Sequence, residues 1–169
     1  MVESRHCRRR VWRHPEESSK LGWNDCKSLS LVLVGSLSVR VGDVGRSRGY
    51  TGKEYMQNRH LDLTIEGDEP ILANVRAAVT IEFAKALKDK AGHETVRYLV
   101  PLVEEHNRHM CPISLLLVHS LRHSLVDGTS VRDVLELALK RSDRTIIWLF
   151  PESPMLSAFG IAPARCLLE

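Results

Sequence analysis

The chain has 169 residues, 43% of them hydrophobic, which is enough to bury one core without disulfide staples. Its formal net charge of +3 is unevenly spread: Arg5, Arg8, Arg9, Arg10 and Arg13 stand against Glu3 in the first 13 residues, so that arm carries +4 and the other 156 residues carry −1. Four scattered cysteines, Cys7, Cys26, Cys111 and Cys166, form no C-x-x-C pair and read as reduced thiols, not as a disulfide framework.

The longest apolar stretch, Ile113 to Val118, stops at His119, far short of the ~20 residues of a membrane span. The opening MVESRHCRRRVWRHP has charge but no apolar region behind it, so it does not read as a secretory signal. The expectation is an intracellular protein, cytoplasmic or peripheral to the inner membrane face. Residues 1–27 lack apolar periodicity and read as a flexible basic arm with Trp12 and Trp23 as its large anchors. Such an arm suits phosphates of nucleic acid or of anionic lipid, against the plainer reading of a solvated terminus.

From Leu29 to Val41 the odd positions are Leu29, Leu31, Leu33, Gly35, Leu37, Val39 and Val41, which predicts a strand bent near Gly35. Residues 42–60, GDVGRSRGYTGKEYMQNRH, read as a long Gly-rich loop carrying Arg46, Arg48, Lys53 and Arg59. It is not a G-x-x-x-x-G-K-[ST] phosphate loop, because Glu54 follows Gly52-Lys53 and Ser47 takes the place of the earlier Gly. It offers at most a cationic surface for polyanions.

Leu61, Leu63 and Ile65 alternate with Asp62, Thr64 and Glu66, the period of a half-buried strand over 61–66. Pro70 and the stripe Leu72, Val75, Val79, Phe83, Ala86 and Leu87 then predict an amphipathic helix over 70–90, stopped at Ala91-Gly92. TVRYLV, 95–100, fits either period; its β-branched content and Pro101 favour a strand, followed by a short helix from Pro101 toward Arg108. Residues 113–125 read slightly better as a helix than as a strand, through Ile113, Leu117, Leu121 and Leu125. Ser130 with Asp133 resembles a capping box ahead of the stripe Val131, Val134, Leu135, Ala138 and Leu139, a helix over 130–141. TIIWLF, 145–150, reads as a strand closed by Pro151, and 151–169 as a Pro-containing tail that docks on the domain or on a partner.

These elements assemble into a single α+β domain over 28–150. A small, mostly antiparallel sheet of 29–41, 61–66 and 145–150 is covered by the helices at 70–90 and 130–141, with the flexible basic N-terminal arm before it.

The residues most suggestive of chemistry are His106, His109, Cys111, His119 and His123. His119 and His123 are four apart, so a helix would aim both imidazoles the same way, and a zinc ion could take them with two of the others. The spacing matches no closed zinc module, and Ser120 stands where a metalloprotease helix needs Glu. Solvated or capping histidines are the plainer reading, so no metal or other cofactor is expected, and no small-molecule substrate is identified. Adjacent Glu104 and Glu105 lie about 100° apart on a helix and read as a solvated face, not as an acid/base pair. Neither a G-x-S-x-G elbow nor a dinucleotide fingerprint occurs.

Strand, Pro-containing turn, the segment Val75-Arg76-Ala77-Ala78-Val79-Thr80 read as helix, Ala91-Gly92 and the apolar stretch from Val96 to Val103 together resemble the matrix proteins of rhabdoviruses. The similarity covers about 45 residues; the arm has no Pro-Pro-x-Tyr motif. The resemblance implies a non-enzymatic assembly protein that self-associates, condenses nucleocapsids or RNA and binds an anionic membrane, with a place in the virion. Arg5, Arg8, Arg9, Arg10 and Arg13 would be its first contacts. The expected function is therefore polyanion binding through the arm and the 42–60 loop, with a metal or enzyme site at the histidines, or an RNA-binding domain, as alternatives.

Overall fold

The computed structural model describes residues 15–46, 55–82 and 94–157, with side chains described for 26–45, 55–82 and 94–156. In chain order the elements are α1 (Pro15–Leu37), the single turn α2 (Val41–Val44), β1 (Gly45–Arg46), β2 (Leu61–Ile65), β3 (Val75–Ile81), β4 (Thr95–Leu99), α3 (Pro112–Arg122), α4 (Val131–Leu139) and β5 (Leu156–Ser157). The architecture is α+β: a three-stranded antiparallel sheet, ordered β2-β3-β4, with helices packed on one face.

Two regions exchange helix for strand or strand for helix, because their apolar residues satisfy both periods. The expected strand at 29–41 is the second half of α1 and its exit. Leu29, Val32, Leu33 and Leu37 are buried at spacings of three and four, while Leu31, which a strand would bury beside them, is 70% exposed. Ser38, at φ 55, ends the helix, and the Val39 amide donates back to the Val34 carbonyl at 3.3 Å, a six-to-one Schellman closure. Because α1 starts at Pro15, residues 15–27 of the expected arm are helical; residues 1–14 lie outside the described residues.

The second reversal is at 70–90. Val75, Ala77, Val79 and Ile81 are buried and the residues between them partly exposed, the period of a strand. Leu61 faces Val79, Leu63 faces Ala77 and Ile65 faces Val75, so two alternating faces interlock across β2 and β3. Four β-branched residues among seven, Val75, Val79, Thr80 and Ile81, favour the pleated form, which the helical stripe alone does not reveal. The expected C-terminal part of that helix, 83–90, lies outside the described residues.

The other elements follow their patterns more closely. β2 is the predicted strand, and 95–99 takes the strand alternative, pairing with β3 from Ala77↔Leu99 to Ile81↔Thr95. Residues 105–110 form a 3-10 helix, a later start than Pro101 suggested. α3 opens with Pro112 at its first turn and buries Ile113, Leu116 and Leu117. α4 is capped by the Ser130 hydroxyl, which accepts from the Asp133 amide at 3.1 Å, while the Asp133 carboxylate accepts from the Thr129 amide and hydroxyl. Residues 145–150 are not a regular strand. They run beside β2 through an isolated bridge from Thr145 to Thr64, with Ile146 N donating to Leu63 O and Trp148 Nε1 to Leu61 O, while the bridge at Trp148 is to Val126.

The core lies between the inner sheet face and the helices, joining Leu29, Leu33 and Leu37 to Leu63, Ala77 and Val79, to Leu116 and Leu117, and to Leu135. The first residues of the tail dock on the domain; residues 158–169 lie outside the described residues. Met155 and Leu156 are buried, Met155 N donates to Met56 O, and β5 pairs with β1 in parallel.

Candidate metal centre at the junction of α1, α3 and the docked tail

α3 carries the site because its buried stripe and its C-terminus present histidines one turn apart. His119 lies on the buried side with Leu116 and Ser120; His123 is the C-cap, where Ser124, at φ 53, and the Leu125 amide donating to Ser120 O close the helix. The two rings have centroids 4.4 Å apart at 47°. Leu29 and Leu33 seat α1 in the core, and Cys26 lies one turn before them, which brings its thiol to the same place. One donor atom from each of Cys26, His119 and His123 lies within 4.8 Å of the others.

His119 is held at both nitrogens. Nε2 lies 3.1 Å from the Met155 carbonyl oxygen, which can only accept, so Nε2 carries the proton. Nδ1 therefore offers its lone pair to Cys26 Sγ, 3.8 Å away. A backbone carbonyl fixing the far nitrogen is the usual support of a metal-binding histidine. Bond lengths of about 2.3 Å to sulfur and about 2.0 Å to nitrogen set neighbouring tetrahedral donors about 3.5 Å apart, against 3.8 Å from Cys26 Sγ to His119 Nδ1 and at most 4.8 Å across the group, so the donors draw together on binding.

The electrostatics keep the group uncharged until something binds. Burial, with help from the charge of His123, pushes His119 down to about 4; burial and then Arg122 lower His123. Burial pushes the Cys26 thiol up. Both imidazoles are thus available as lone-pair donors at neutral pH. The same directions disfavour a thiolate–imidazolium pair, the form a nucleophilic cysteine requires.

Of the residues predicted for this chemistry, His119 and His123 come together and the others do not. Cys111 is fully buried at the N-cap of α3, where its sulfur accepts from Leu102 N at 3.3 Å. His106 and His109 are exposed on the 3-10 helix, and His106 sits 3.3 Å from Glu104. Cys26 takes their place, 93 residues away in sequence from His119. The only signal for it was a thiol without a partner, which no spacing rule connects to α3.

The expected polyanion surface is mostly outside the described residues: Arg5, Arg8, Arg9, Arg10, Arg13, Arg48 and Lys53 all are, and so is the side chain of Arg46. Arg59 is described and faces Glu152 at 3.7 Å. The 42–60 segment is not one open loop. α2 and β1 occupy its start, and Tyr55, Met56, Gln57, Asn58 and His60 are buried at its end. Asn58 Nδ2 donates to Phe150 O at 2.9 Å and Gln57 Nε2 to Glu152 O at 3.0 Å, strapping the 150–155 stretch to the domain.

Compared with known protein families, curated proteins and solved structures, the chain matches none. Among the described residues no helix is long and apolar enough to cross a membrane.

Proposed function

We propose that this protein binds one thiophilic divalent metal ion, zinc by its ligand chemistry, through Cys26, His119 and His123. The observation that carries the reading is the convergence of those three donors from α1 and α3, with His119 already oriented by the Met155 carbonyl. One thiolate and two imidazoles suit zinc better than magnesium or calcium, which take oxygen donors. The ion ties α1 to α3, and through His119 to the docked tail. Binding displaces the Cys26 proton, whereas the histidines give up none because they are already neutral. Titration of the full chain with zinc against a chromophoric chelator should give one ion per chain; Cys26→Ser should weaken it at least tenfold. Equal affinity in that variant, or no binding by the wild type, contradicts the reading.

A separate proposal, polyanion binding in an assembly role, rests on the +4 charge of the first 13 residues. Sedimentation with anionic vesicles and with RNA at low and moderate salt tests it; absence of binding to both removes it.

A further inference from the structure

We infer that the metal in this centre keeps a fourth position for a small monodentate anion from solution, such as a carboxylate, a thiolate or an inorganic anion. The inference rests on the metal reading above and adds the ligand class that completes the site.

The site is walled unevenly. His119 is 5% exposed and forms its floor, while Cys26 and His123 are partly exposed and form its rim, so the group meets water on the side away from His119. The bond from Nε2 to the Met155 carbonyl prevents the His119 ring from turning outward to close that side. A tetrahedral zinc or cobalt ion takes four donors, and the group assembled from the described residues supplies three.

Charge selects what fills the remaining vertex. One thiolate cancels half the charge of a divalent ion, and the imidazoles cancel none. Exposed Arg122 lies close enough for its charge to act on His123, so it adds positive charge on the His123 side of the rim. An anion arriving from water therefore gains both a bond to the metal and attraction from the rim, where neutral water gains only the bond.

The test uses the full chain loaded with cobalt, whose visible bands report coordination. Thiocyanate is added at constant ionic strength, with perchlorate, a very weakly coordinating anion, as the balancing salt. A saturable, one-to-one shift of the cobalt bands is expected, with Arg122→Gln binding thiocyanate about fivefold more weakly at unchanged cobalt stoichiometry, the scale of one partly screened charge. Cobalt bound through Cys26 with bands that thiocyanate does not move overturns the inference and leaves the metal reading standing; the chain itself then supplies the fourth donor. Equal thiocyanate affinity in Arg122→Gln overturns the role of the rim charge. Failure to bind cobalt at all contradicts the metal reading, and the inference falls with it.

Discussion

His119 and His60 are both buried, both lowered in pKa first by desolvation, and both anchored to the backbone. They nevertheless do different work. His60 Nδ1 accepts from Gln57 N at 3.2 Å, which places its proton on Nε2, and Nε2 lies 3.2 Å from Glu82. Its Nδ1 serves the fold, and its Nε2 faces a carboxylate. His119 spends only Nε2 on the fold, and its Nδ1 faces a thiol and a second imidazole. On the proposed metal reading, His119 can serve as a ligand because one nitrogen is fixed and the other faces further donors.

The comparison breaks most visibly under substitution. His119→Ala should lower zinc affinity at least a hundredfold, while His60→Ala should leave the affinity of the folded protein within about threefold; chelator competition measures both. Equal losses in the two variants would mean that the fold, not the free nitrogen, governs binding.

Acid should expose the burial of His119 in metal-free protein. Its folded pKa, about 4, lies below the ordinary value of 6.5, so the unfolded chain takes up the proton first as pH falls. The stability contributed by the neutral, buried ring is present above pH 6.5 and is lost between there and pH 4, by about 3 kcal/mol at 1.36 kcal/mol per pH unit. Urea unfolding across that range should show a shallower decline in His119→Gln than in wild type; parallel slopes would show that the ring titrates normally.

On the His60 side, Asn58→Ala removes the donor to the Phe150 carbonyl and should destabilise by about 2 kcal/mol without altering metal stoichiometry. Combined calorimetry and zinc titration separate the two effects, and a stability equal to wild type would show that the 150–155 strap holds without this bond.

The smallest expected change sharpens the role of α1. Gly35 lies inside that helix with nothing within 4 Å of an added Cβ, so Gly35→Ala should stabilise by about 1 kcal/mol. The gain should raise the melting temperature while zinc affinity stays the same. A lower melting temperature would contradict the helical reading of residues 29–37.

Where local signals agreed, the fold was legible. Ser130, Asp133 and the stripe through Val134, Leu135 and Ala138 all point to one helix, and Leu61, Leu63 and Ile65 to one strand. Where two periods coexist, sequence could not choose. Leu29, Leu33 and Leu37 fit a strand and a helix equally, and so do Val75 and Val79; which face packs is decided by partners distant in sequence. The site was half legible for a similar reason. The four-residue spacing of His119 and His123 needs only the local helix, whereas Cys26 joins them only when α1 packs against α3.

The most direct test of the central claim is the absorption of the cobalt-loaded full chain. The account predicts one cobalt per chain with a sulfur-to-cobalt charge-transfer band that Cys26→Ser abolishes and Cys111→Ser preserves. A band that survives in Cys26→Ser, or disappears in Cys111→Ser with the protein still folded, would contradict it.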